Sequence, residues 1–172
     1  GVANGNENAP RLPGSGGGGQ SSAGSGGGLI RMEITGDITL DGTLSANGGS
    51  PSGNRGAGSG GGIFVMCGAF YGTSNSLVSA VGANGATNAT EGAGGGGGGR
   101  IAVWVQLSVA MRDQYLTGVT NRVYRQGTHR YFSGTATATN GSGWVNAGDA
   151  QVFPAQAGTV WFFTSALQQG TV

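Results

Sequence analysis

From Leu29 the chain alternates apolar and polar side chains. Ile30, Met32 and Ile34 interleave with Arg31, Glu33 and Thr35, and after Gly36, Ile38 and Leu40 interleave with Asp37, Thr39 and Asp41. A period of two residues predicts strands with one face buried and the other in water. Ile63, Val65 and Cys67 repeat the phase, and Ile101, Val103, Val105, Leu107 and Val109 keep one face apolar over nine residues. No segment has the spacing that predicts a helix. The fold class expected from this pattern is all-β.

Glycine-rich runs separate these segments, near 14–19, 24–28, 56–62 and 92–99. Placing Gly24–Ile34 (GSGGGLIRMEI) over Gly58–Gly68 (GSGGGIFVMCG) gives an offset of 34 residues, and Gly95–Val105 (GGGGGRIAVWV) continues the series. Leu29, Ile63 and Ile101 are then the corresponding strand openers. A second marker follows each of the first two strand groups, at Leu44–Ser50 (LSANGGS) and Val78–Ala86 (VSAVGANGA). The sequence therefore reads as a repeat array with variable linkers. Asn-Gly at 4–5, 47–48, 84–85 and 140–141 is expected to turn the chain through positive φ, which Asn tolerates and Gly adopts without penalty.

Each glycine costs more backbone entropy to order than any other residue. A run is thus either a flexible linker or a place where backbones meet. An extended, polyglycine-II-like segment has three residues per turn, and its outward N–H and C=O groups need partners. Regular placement between strands favours ordered packing, so Gly94, Gly95, Gly96, Gly97, Gly98 and Gly99 are expected to form a packing surface, within the chain or between subunits.

After Val109 the long runs cease and aromatic residues accumulate. Short strands are expected at 115–119, 121–126, 129–133, 135–139, 143–146, 150–153 and 158–165. The chain divides on this basis into glycine-rich β repeats over 1–109 and an aromatic-rich antiparallel β layer or sandwich over 110–172, packed on the repeats or continuous with them. In the last strand both faces are apolar. Phe162 and Val160 point one way, Trp161 and Phe163 the other, and the second face is expected to be covered by the glycine-rich layer or a neighbouring subunit.

Chemistry is sparse. Only 9% of residues are charged, no lysine occurs, and the formal net charge is +1, so there is no electrostatic case for nucleic acid or an anionic membrane. Low charge also removes the repulsion that keeps copies apart, which points to self-association. The one cysteine, Cys67, rules out an intramolecular disulfide and reads as a buried, inert thiol. His129 is the only histidine, with no motif-bound nucleophile to serve. Gly24–Gly28 contains Gly-x-Gly, but no helix follows to present its N-terminus to a phosphate. Asp37 and Asp41 read as solubilising charges. No catalytic, cofactor or metal site is expected.

Arg122, Arg125, His129 and Arg130 interleave with Tyr124 and Tyr131 in a stretch expected to form a hairpin around Gln126–Thr128. Such a surface serves cross-strand pairing, a subunit contact, or stacking on a sugar or base. Asn88 and Asn140 head N-glycosylation triplets. The chain opens on Gly1, which suggests a removed leader or a start inside a longer precursor.

Gly24–Ile34, Gly42–Gly49 (GTLSANGG) and Gly94–Val105 (GGGGGGRIAVWV) together resemble the glycine-rich repeats of large secreted or cell-surface proteins of environmental bacteria and archaea. The resemblance covers about Gly14–Gln106. It implies an extracellular, repetitive, β-rich structural or adhesive protein and carries over no catalytic residue. The role expected is the subunit of an extracellular filament or surface matrix, partnered by copies of itself in an open, non-closing assembly. The alternative is a glycan-binding adhesin or phage tail-fibre tip.

Overall fold

The computed structural model describes residues 5–19, 22–86, 93–120, 122–143 and 155–165. The chain coils so that strands one turn apart lie side by side. The first turn holds β1 (Leu29–Glu33), β2 (Ile38–Leu40) and β3 (Thr43–Ser45), and the second holds β4 (Gly62–Cys67), β5 (Phe70–Gly72) and β6 (Leu77–Ser79). In the third, β7 (Arg100–Val105) is followed by α1 (Val109–Leu116), β8 (Tyr124–Gln126) and β9 (Thr135–Thr137), before β10 (Thr159–Thr164). Three sheets result, in the orders β1-β4-β7-β10-β8, β2-β5 and β3-β6-β9. Every pair is parallel except β10 with β8. Among the described residues the fold is strand-rich with one short helix.

In the first sheet the register runs Ile30–Ile63–Ile101–Val160 and Met32–Val65–Val103–Phe162. The alternation seen in the sequence becomes like-on-like ladders, which fill the coil together with Phe70, Val78 and Phe132. Phe70 lies 5.2 Å from Phe132 and 6.4 Å from Phe162 between ring centres, within the core. Leu29 pairs with Gly62, not Ile63, so the expected alignment of strand openers is one residue out at the first turn. A slip of one would turn every side chain of β1 to the wrong face, and the buried Ile63–Ile30 ladder decides against it.

The described residues after Val109 do not form a separate antiparallel layer. β10 adds to β7 and β9 adds to β6 in parallel, because Val160 and Phe162 extend the core ladder that β7 carries. The expected hairpin around Gln126–Thr128 is absent as well; β8 pairs with β10, while Phe132 bridges Gly72 of the second turn. The strands expected at 143–146 and 150–153 extend over residues outside those described.

The strand expected at 115–119 is also replaced. β7 ends at Val105, Gln106 takes φ 56°, and Ser108 caps α1 by accepting from the Met111 N–H at 3.2 Å. Thr117 ends the helix, and Gly118, at φ 74°, lets its own N–H reach the Tyr115 carbonyl while the Val119 N–H reaches that of Gln114. These two bonds stop the helix as a Schellman turn. Leu107, Met111 and Tyr115 face the sheet at helical spacing, the signal that the strand reading overlooked.

Candidate functional site

Three sets of residues were singled out by the sequence, and the structure separates them. The glycine run comes first. Segments 24–28, 56–61 and 94–99 lead into β1, β4 and β7, and segments 46–49, 80–85 and 138–143 leave β3, β6 and β9. They bond to one another backbone to backbone. The Gly24 and Gly27 N–H groups donate to Gly56 and Ser59, and those of Ala57 and Gly60 donate to Gly94 and Gly97, at 2.8–3.0 Å. Across the two sets, Gly96 and Gly99 donate to Ala83 and Ala80, while Gly58 and Gly61 donate to Gly49 and Ala46, at 2.7–3.0 Å. The partners recur every third residue. Burial follows the same period, with Ala93, Gly96 and Gly99 buried between more exposed glycines.

A Cβ built on the run shows how close the backbones are. It would lie 2.4 Å from the Gly141 oxygen at Gly95, 1.9 Å from that of Gly58 at Gly96, 2.0 Å from that of Ala138 at Gly98 and 2.1 Å from that of Gly61 at Gly99. Gly97 has room, at 3.5 Å from Gln156, and Gly94 meets nothing within 4 Å. The run therefore uses its backbone groups on other segments of the same chain.

Asn-Gly 47–48, 84–85 and 140–141 have no positive φ, contrary to expectation. These dipeptides lie in the extended segments, where the Asn side chains tie one turn to the next. Asn47 Oδ1 accepts from the Val81 N–H at 2.7 Å and from Ser79 Oγ at 2.6 Å, and Asn84 Oδ1 accepts from the Ser142 N–H at 2.8 Å. Asn140 is exposed, with its Nδ2 donating to the Gly141 carbonyl at 3.2 Å, and Asn88 lies outside the described residues.

The arginine–aromatic set is scattered over different surfaces. Arg125 lies on the outer face of the first sheet, 4.2 Å above the Trp161 ring, and pairs with Glu7 at 2.7 Å. His129 is buried, its ring parallel to that of Phe162 at 5.7 Å. Arg130 lies over the exposed ring of Tyr131, which leans on Tyr71 at 5.5 Å. Arg122 and Tyr124 are exposed. The set does not converge on one ligand-sized site.

The last strand has both faces covered, by elements the sequence reading did not foresee. Phe162 enters the coil interior. Phe163 lies on the opposite face, fully buried and stacked on Trp104 at 4.1 Å and 9°, with Tyr115 of α1 edge-on to both rings. The N-terminal segment completes the cover, since Trp104 Nε1 donates to the Asn8 carbonyl at 2.8 Å and Ala9 joins the cluster. Trp161, at the margin, is half-buried beside Arg125 and Glu7.

Cys67 is buried on the interior face of β4, and burial, then the charge of Asp37, pushes its thiol up to about 12. The folded chain thus keeps the thiol protonated where the unfolded thiol ionises, so this group removes stability as pH rises from about 9 towards 12. A thiol reagent at pH 8 is expected to label Cys67 only in step with unfolding by denaturant. Rapid labelling of the native protein would contradict the burial.

Among the described residues no group of three His, Cys, Asp or Glu is placed to hold a metal ion, and no helix is long and apolar enough to cross a membrane. The feature that stands out instead is an end of the fold. Among the described residues β1, β2 and β3 each pair on one side only, and the inward residues of that turn, Ile30, Met32, Ile38, Leu40 and Leu44, are only partly buried. Their counterparts one turn on, Ile63, Val65, Phe70 and Val78, are fully or almost fully buried. No family model, curated protein or solved structure matches the chain.

Proposed function

We propose that the chain is a structural subunit of an extracellular filament or surface matrix, built to associate with copies of itself. The observation that carries this reading is the uncovered first turn. There, among the described residues, the sheets stop with one edge unpaired, and the core stops with five apolar side chains only partly buried. Such an end is costly to leave open and is complementary to more of the same structure. The polyglycine-II-like segments suit a load-bearing role, because their cohesion is spread over many short backbone bonds instead of a few side-chain contacts.

Negative-stain electron microscopy and sedimentation of the purified protein test the proposal. Ordered multimers are expected. A discrete monomer at every concentration would overturn it, and a monomer that also retains a sugar on a glycan array would favour the adhesin or fibre-tip reading, for which the exposed Tyr71, Tyr131 and Arg130 offer the stacking surface.

A further inference from the structure

The unpaired edge of β1 specifies its own partner. In a parallel pair alternate residues of a strand point their backbone groups at the same neighbour. The Gly62 N–H donates to the Gly28 carbonyl and the Ile34 N–H donates to the Met66 carbonyl, so Gly28, Ile30, Met32 and Ile34 face β4. Leu29, Arg31 and Glu33 therefore direct their N–H and C=O groups off the sheet, with no backbone partner among the described residues. The same stretch carries two exposed apolar side chains, Leu29 at 39% and Ile34 at 42%.

At the far end of this sheet the parallel series is stopped, because antiparallel β8 occupies the side of β10 away from β7. A copy cannot offer β10 to the open edge in the register that joins β1, β4 and β7. β8, the other edge of this sheet, offers only three residues against the five of β1, so the longer ladder is made with β1 of another copy, running antiparallel about a two-fold axis.

Charge selects the register. Centring the pair on Arg31 or on Glu33 would place like charges directly opposite, which is unfavourable. Centring it on Met32 sets Arg31 against the partner's Glu33 and Glu33 against the partner's Arg31, all on the outer face. These are residues whose backbone groups point off the edge, so each opposed pair exchanges both its N–H···O bonds. On the inner face, Ile34 is then covered by the partner's Ile30, and Met32 by the partner's Met32.

We infer that two copies of this chain join first turn to first turn through an antiparallel β1–β1 ladder centred on Met32, and that this dimer is the building unit of the assembly. The inference rests on the self-association proposed above and adds the surface, the symmetry and the register. Residues opposite one another at a non-hydrogen-bonded position have Cα atoms about 4.5 Å apart, within reach of a disulfide.

The smallest species in sedimentation is expected to have twice the 16.8 kDa chain mass, with larger multimers in even multiples of it, and oxidised Met32→Cys is expected to run as a covalent dimer. Leu29→Cys, which in this register lies three residues from the two-fold axis and far from its own copy, is expected to stay uncrosslinked. Arg31→Pro deletes an outward N–H twice per dimer while leaving the β4 side bonded, and is expected to weaken dimerisation by roughly a hundredfold with an unchanged β-rich circular dichroism spectrum. The Met32→Cys result keeps the register falsifiable should Arg31→Pro fail to fold. Multimers that neither crosslink through Met32→Cys nor respond to Arg31→Pro would overturn this inference alone. A wild-type protein that stays monomeric would overturn it together with the assembly reading.

Discussion

Gly96→Ala is expected to lower unfolding stability by about 4 kcal/mol or more, while Gly97→Ala beside it changes stability by no more than about 1 kcal/mol. The new Cβ at 96 would lie 1.9 Å from the Gly58 carbonyl oxygen, whereas at 97 the nearest atom is 3.5 Å away. Relief at 96 is not local. The Gly96 N–H donates to Ala83, the Gly96 carbonyl accepts from Gly141, and the Gly58 carbonyl accepts from Ala83, so any retreat breaks bonds on three sides. At 97 the methyl fits, and the narrower unfolded ensemble of Ala adds a few tenths of a kcal/mol to stability. Urea midpoints of the two variants measure the contrast. Equal midpoints would mean that the glycine segments do not pack as described.

Phe163→Ser is expected to cost about 3–5 kcal/mol, and Trp161→Ser about 1–2 kcal/mol, although the two residues are two apart on one strand face. Phe163 is fully enclosed between Trp104, Tyr115 and the sheet. Its removal leaves a cavity and buries a hydroxyl beside two rings. Trp161 is half-buried, and its loss forfeits one guanidinium–ring contact and a 3.4 Å bond to Glu7. Because the cover is the chain's own helix and N-terminal segment, Phe163→Ser is expected to lose near-ultraviolet circular dichroism in the isolated chain. Dispersal of multimers with no change in monomer stability would place Phe163 at a subunit contact instead.

The strands were legible because burial on one face writes itself into the sequence with a period of two. Ile30, Met32, Ile63, Val65, Ile101 and Val103 needed no other information to be read as β, and the Gly runs between them marked where each turn restarts. The partner of each strand was not legible. Ser108, Met111 and Tyr115 carry a capped helix, but Val103, Val105, Leu107 and Val109 also continue a strand pattern, and local propensity does not arbitrate between periods that overlap. The covering of Trp104 by that helix resolves it.

Glycine itself is the clearest case of this division. The sequence by itself determined that the chain is strand-rich, that its formal net charge is only +1, and that Gly94–Gly99 occupies a fixed place before a strand. A residue without a side chain carries no pattern that distinguishes Gly96, where a methyl group cannot fit, from Gly97, where it can. Only the tertiary structure decided that, because the constraint lies in the carbonyls of Gly58, Gly61, Ala138 and Gly141, far away along the chain. It likewise decided that Asn47 and Asn84 bridge turns instead of making them, and that β1 lies at the edge of its sheet among the described residues, since an edge is defined by pairing and not by local pattern.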